Sequence, residues 1–337
     1  MVRKRIFIAI AVIAVALCGL LTWRYVAARR TKYVIDSLSA DMNLAVYYSE
    51  GTVSYDEHST LFYCFHRVTG ISFGAAILSR ENIELIASGT ELQTLDVRGA
   101  DIKESAIPGL GALDHLQVLK LSRVPVVMDP PGRTEVSPDT RPAEPLLPSP
   151  VGPDVPSRAL EDADMQFLRN LTQLRELDLG TTNLSDNGVT AFAHLADLET
   201  LDLSLTPVGD AGVAAICANH PRLKVLLLAN VGGWHEGEYP RLTDASIGAI
   251  THLAELEVLD VSGSQISAEA LGLLAQMGSL RELSVDECMD LTYGHLRELK
   301  ARRPKLLVHP WVPDEAGDDE LIDNKGVGGP WGPSDAD

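Results

Sequence analysis

From Leu92 onward the chain repeats one pattern of apolar and polar positions, L-x-x-L-x-L, with first leucines at Leu92, Leu116, Leu174, Leu198, Leu223, Leu256 and Leu280. Successive copies begin 24, 58, 24, 25, 33 and 24 residues apart, a 24-residue period stretched twice by insertions. A degraded copy, Lys305-Leu306-Leu307-Val308, closes the series. Within a copy the alternation has period two, which predicts a strand: Leu177 and Leu179 face inward, and Glu176, Asp178 and Gly180 face outward. The period then changes. Ser185-Asp186-Asn187-Gly188-Val189 leads into Phe192 and Leu195, a helical spacing that Ser185 or Asp186 is expected to cap. Thr243 or Asp244, and Asp210, stand at the same place in other copies. One unit is thus a short strand plus a short helix. Alone it cannot bury its apolar face, so stacked units must share a core. The expected fold is an α/β solenoid, with a curved parallel sheet on the concave side and short helices on the convex side.

The repeat domain runs over residues 92–309, and residues 33–91 read as its N-terminal cap. The cap is expected to hold a helix from Tyr33 to Val46, a short strand about Thr52–Tyr55 and an aromatic cluster of Leu61, Phe62, Tyr63 and Phe65. A capping strand over Ala75–Ser79 and a helix over Glu81–Ser88 follow. Residues 124–157 carry ten of the nineteen prolines and read as a disordered insertion inside the repeat domain. A second insertion, Gly232 to Pro240, gathers Trp234, His235, Glu236, Glu238 and Tyr239. Residues 310–337 hold eight acids and one lysine and read as a disordered acidic tail.

Residues 1–32 read as a signal anchor. Arg3-Lys4-Arg5 precede an apolar run from Ile6 to Leu21 that Thr22 and Trp23 extend. Eighteen helical residues span about 27 Å, enough for a bilayer core of about 30 Å, so the chain is expected to meet the membrane through residues 6–23. A cleaved signal peptide ending at Val26-Ala27-Ala28 is the competing reading, and Arg24 and Arg29-Arg30 stand against it. Three bases precede the span and four follow it, and the usual signal-anchor arrangement exports the body to the periplasmic or extracellular side.

Charge narrows the partners. The chain has 47 acids and 28 bases, a net charge of −19. Residues 1–32 hold seven bases and no acid, so the remainder carries −26. Such a body repels a phosphate backbone, which excludes nucleic acid. No P-loop, G-x-G-x-x-G or C-x-x-C occurs, and no catalytic residue, cofactor or metal ligand is expected. Cys217 and Cys288 fall at small buried repeat positions, and His194, His220 and His252 at convex or loop positions. Function is left to the outward strand positions. Asp96, Asp178, Asp202 and Asp260 recur at one of them, a row that could receive a basic partner or could simply keep the face soluble. Val225 and Leu227 break that row with an apolar step. The expected contact surface is Asp96, Lys120, Glu176, Asp178, Thr200, Asp202, Val225, Leu227, Val258, Asp260, Glu282 and Ser284, with Trp234 and Tyr239 from the second insertion.

The phrase L-x-x-L-D-L-S-x-T-x-[ILV]-[ST]-D-x-G-[ILV], closely matched by Leu174–Val189 and Leu198–Val213, resembles the leucine-rich repeat superfamily. Its subtype looks like the cysteine-containing repeats of F-box proteins, although no F-box-like module precedes the array and the ninth position carries Ala100, Val124, Thr182, Thr206, Val231, Ser264 and Cys288. The arrangement also resembles bacterial membrane-anchored repeat proteins. The resemblance implies a non-enzymatic, membrane-anchored module, monomeric in its repeat domain, that binds a protein on the concave face. Recognition of a glycan or cationic peptide, or an F-box-like adaptor role in protein degradation, are the alternatives it leaves open.

Overall fold

The computed structural model describes residues 22, 24–38, 44–48, 51–53, 68–73, 76–89, 91–98, 100–128, 157–229, 241–310, 318 and 321. A first helix, α1, covers residues 24–38. Fifteen strands follow: β1 (Leu44–Tyr48), β2 (Gly51–Val53), β3 (Val68–Phe73), β4 (Ile77–Leu78), β5 (Thr94–Asp96), β6 (Asp101–Lys103), β7 (Val118–Lys120), β8 (Val126–Val127), β9 (Ser157–Arg158), β10 (Glu176–Asp178), β11 (Thr200–Asp202), β12 (Val225–Leu227), β13 (Val258–Asp260), β14 (Glu282–Ser284) and β15 (Leu307–His309). The helices between them are α2 (Arg80–Gly89), α3 (Asp210–Asn219), α4 (Asp244–Ile250), α5 (Ala268–Leu274) and α6 (Tyr293–Arg302).

One sheet of eleven strands runs β15-β14-β13-β12-β11-β10-β7-β5-β3-β1-β2. From β3 to β15 every pairing is parallel and in step with the repeat: Leu119, Leu177, Leu201, Leu226, Leu259 and Leu283 lie side by side. All six are fully buried, as are Leu95 and Ile71 before them. The period-two reading therefore holds through the array, and the convex elements close the other side of the same core.

Several local expectations give way. The segment after Asn187 makes only a 3-10 turn, Gly188–Phe192, and no side chain caps it. Thr243 does cap α4, accepting from the Ala245 amide at 3.2 Å. Asp186, Asp210 and Asp244, expected as caps, instead reach forward to the next unit, and Asp162 does the same. Asp162 accepts from the amide and hydroxyl of Ser185 at 2.8 and 2.6 Å. Asp186 accepts from Gly209 N at 2.7 Å. Asp210 takes the Thr243 amide and hydroxyl at 2.9 and 2.6 Å, and the Ser246 hydroxyl as well. Asp244 repeats this with Ser267 at 2.8 and 2.6 Å. Burial pushes the Asp210 carboxyl up, but the Ser246 and Thr243 donors outweigh it and hold the group below its usual range. The clamp explains the D-x-G phrase. A Cβ at Gly212 would lie 2.7 Å from Val208 Cγ1 and closer still to Asp186 Oδ1. Gly188 faces Asp162 in the same way, with the Asp162 carboxyl carbon 2.9 Å from an added Cβ.

The turns after β7, β10, β11, β13 and β14 each hold a left-handed residue. Arg123, Thr181, Leu205 and Glu287 adopt φ of 58°, 60°, 60° and 57° there, where Gly263 adopts 78°. Each non-glycine costs about 1–2 kcal/mol, which the flanking packing must offset.

The cap differs from expectation in one element. Within the stretch Tyr33–Val46 expected as helix, α1 is described to residue 38, and Leu44–Tyr48 forms β1, antiparallel to both β2 and β3. Val46, Tyr47 and Tyr48 suit a strand, and β1 covers the open edge of the repeat sheet. β4 and α2 sit where the capping strand and helix are expected, while the aromatic cluster from Leu61 to Phe65 lies outside the described residues. The ends of the proline-rich stretch are ordered. Val124 is buried, and β8 pairs with β9 antiparallel. The acidic tail is also partly held: Asp318 O accepts from Gly294 N at 3.0 Å, Asp318 pairs with Arg297, and Leu321 bridges Thr292.

Gly212→Ala is expected to lower the urea midpoint by the equivalent of about 1–3 kcal/mol, because the new methyl meets the Asp186 clamp. Gly248→Ala, in α4 with nothing within 4 Å of the added Cβ, is expected to stabilise by about 0.5–1 kcal/mol.

Candidate functional site

The outward strand positions form rows across the sheet, in the register that the repeat implies. One row runs Thr94, Val118, Glu176, Thr200, Val225, Val258, Glu282 and Leu307. Its neighbour runs Asp96, Lys120, Asp178, Asp202, Leu227, Asp260, Ser284 and His309. The structure thus places twelve of the candidate residues on one surface. Trp234 and Tyr239 lie outside the described residues. Ten of the twelve are half-buried by their neighbours; Asp178 and Ser284 are buried and offer a partner least.

The charges divide the face into two regions. At its N-terminal end the acids are paired. Asp96 takes Arg98 through two contacts of 3.0 and 2.7 Å, and Lys120 sits 2.6 Å from Glu176. Burial raises the Asp96 carboxyl, but Arg98 outweighs it and holds the group below its ordinary value. Further on, Asp178, Asp202 and Asp260 make no ion pair among the described residues. Each instead accepts the amide two residues ahead: Gly180 at 3.1 Å, Ser204 at 2.8 Å and Ser262 at 2.9 Å. That bond shapes the turn out of the strand, so the recurrence of Asp has a structural cause within each repeat. Burial nevertheless pushes the Asp202 carboxyl above its usual range, with Asp178 and Asp260 adding like charge. Burial also raises Asp260, and Asp286 beside it. Val225, Leu227 and Val258 interrupt this strained row with an apolar step, in register and partly exposed. Glu282 meets His309 Nε2 at 3.5 Å at the far end.

Arg175, Glu199 and Lys224 form a second feature, a ladder of alternating charge along the strand starts that sequence reasoning missed. Its contacts are 2.8 and 2.6 Å on exposed side chains, so it contributes little to stability. Only the register, which sets residues 24 and 25 apart beside each other, makes the alternation visible.

The remaining chemistry is inward. Cys217 and Cys288 are buried, and burial pushes their thiols up to about 12 and about 11, away from reactivity. His220 follows α3 as its C-cap, the convex or loop position expected, and its side chain is fully buried there. Its Nδ1 lies 3.0 Å from Leu195 O, its ring stacks on Phe192 at 5.8 Å, and its Nε2 has no partner among the described residues. Among the described residues no group of three or more His, Cys, Asp or Glu could hold a metal ion.

Residues 170–193 and 194–217, the two units centred on β10 and β11, match the Leucine Rich repeat family. Those two units are leucine-rich repeats. The chain also matches a yeast chain from the crystal structure of the Rad7 and Elc1 complex, at 14% identity and a TM-score of 0.42. That match covers 72% of this chain, which spans 63% of the length of the yeast one. Internalin C2 of Listeria monocytogenes matches at 17% identity and a TM-score of 0.42, over 77% of this chain and 83% of its own. No curated protein matches by sequence.

Asp260→Asn keeps the oxygen that accepts from Ser262 and removes the buried charge. The raised carboxyl means that its favourable contribution is complete at low pH and lost as pH rises through its folded value. The variant is therefore expected to have the higher urea midpoint at neutral pH, with an advantage that vanishes toward acid.

Burial pushes His220 below its ordinary value of 6.5, and the like charge of His194 adds to this against the Leu195 carbonyl. The unfolded chain then takes the proton first, so stability is expected to fall as pH drops below 6.5. His220→Met should flatten that slope in urea titrations between about pH 5 and 7.

Proposed function

We propose that this chain is a non-catalytic, membrane-tethered module that holds a partner protein against the concave face of β10–β14. One observation carries the reading. Val225, Leu227 and Val258 sit together in register, partly exposed, between Asp202 and Asp260. An apolar centre inside a charged rim is the anatomy of a protein contact surface. The raised carboxyls favour a partner that brings positive charge, because its arrival relieves the cost of holding them ionised.

The tether rests on sequence. Arg3-Lys4-Arg5 and the apolar run to Trp23 fit an uncleaved signal anchor, with the body exported. Among the described residues no helix is long and apolar enough to cross a membrane, and of residues 6–23 only Thr22 is described. A reporter fused at the C-terminus reads the side on which the body lies. Activity of a reporter that works only outside the cytoplasm supports export, and its absence beside an active cytoplasmic reporter overturns it.

A photo-crosslinking residue at Leu227 of the full chain, in its native membranes, is expected to give a discrete adduct. Val225→Asp should reduce its yield at least about tenfold, the equivalent of about 1.4 kcal/mol. Equal adduct yields from Leu227 and from Glu298, on the convex helix α6, would overturn the reading.

A further inference from the structure

We propose that the outer face of α1 lies along anionic lipid headgroups and sets how the solenoid stands on the membrane. This rests on the tether proposed above. One face of α1 belongs to the body: Ala28, Val34, Ile35 and Leu38 are buried in the same core as Ile71, Phe73 and Leu78. Tyr25, Arg29 and Tyr33, spaced by four, form the opposite face, with Val26 and Arg30 beside them. Tyr25, Val26 and Tyr33 are 49%, 60% and 66% exposed, and both arginines are exposed. The one acid of α1, Asp36, is held by Lys32 at 2.6 Å.

Large apolar and aromatic side chains set among arginines are ill suited to water. A bilayer interface accommodates both, with tyrosine rings at headgroup level and guanidinium groups on phosphates. Charge selects this face over the rest of the molecule, because residues 33–337 carry −26 and an anionic surface repels them. Sequence continuity places it there too, since the described part of α1 directly follows the apolar run of residues 6–23. Tyr25 and Tyr33 are about 12 Å apart along the helix axis. The headgroup layer of one leaflet is only about 6 Å deep, so both tyrosines reach lipid only if α1 lies along the surface. The packed inner face of α1 then couples that orientation to the array.

The test uses the full chain carrying Tyr33→Trp, reconstituted into vesicles of phosphatidylcholine with one quarter phosphatidylglycerol. Flotation of the chain with the vesicles reports the tether. Lipid brominated near the headgroup is expected to quench the added indole at least about twofold relative to unbrominated lipid. Arg29→Glu with Arg30→Glu, both exposed, should remove most of that quenching while the circular dichroism stays unchanged. A chain that floats with its added indole unquenched overturns this proposal and leaves the tether standing. A chain that does not float overturns the tether and this proposal together.

Discussion

No unit of this chain can bury its own leucines. Leu119, Leu177, Leu201, Leu226, Leu259 and Leu283 reach zero exposure only because each lies against its counterpart in the units on either side. Full burial of a leucine is worth about 1.5–3 kcal/mol, and here each contribution belongs to an interface between units rather than to a unit. The same constraint creates the outward surface. Once the inward leucines are in register, the residues between them must be in register too. The side-by-side placement of Val225, Leu227 and Val258 follows from the core packing of Leu226 and Leu259 between them.

The aspartates show how one residue type serves two ends of the repeat. On the convex side Asp162, Asp186, Asp210 and Asp244 lock each unit to the next through its backbone and hydroxyl donors. Those carboxylates are well supplied with donors. On the concave side Asp178, Asp202 and Asp260 shape the turn beyond the strand with one backbone amide each, with serine hydroxyls on Asp178 and Asp260, and pair with no cation among the described residues. At Asp202 and Asp260 burial outweighs those donors and raises the carboxyls, a cost at neutral pH. The contrast separates the aspartates that link one unit to the next from those that shape the concave turns.

Both ends of the array are covered. β1 and β2 pair antiparallel beyond β3, and α1 adds its buried face to the first units. At the other end Asp318 and Leu321 fold back on α6, and Gly294 leaves the space that the Asp318 carbonyl occupies. Covering the ends removes exposed core and leaves the concave face as the broad unpaired surface of the described sheet.

The period of 24, the inward leucines and the outward rows were legible in the sequence, because alternation along a strand depends only on the chain's own geometry. The matching family phrase over residues 170–217 has the same origin. Other features depended on contacts between units and could not be read that way. Asp186 looks like a cap until Gly209 arrives beside it, and Gly188 looks like a helix breaker until Asp162 fills its missing Cβ. His220 keeps its position after the helix, but its burial against Phe192 and the Leu195 carbonyl arises only in the stack. Leu44–Val46 reads as the end of a helix until β3 offers an edge to pair with. Sequence determined what each unit must hide. Tertiary structure decided which polar group of one unit meets which group of the next, because those partners are 23 to 33 residues apart and meet only when the core has set the register.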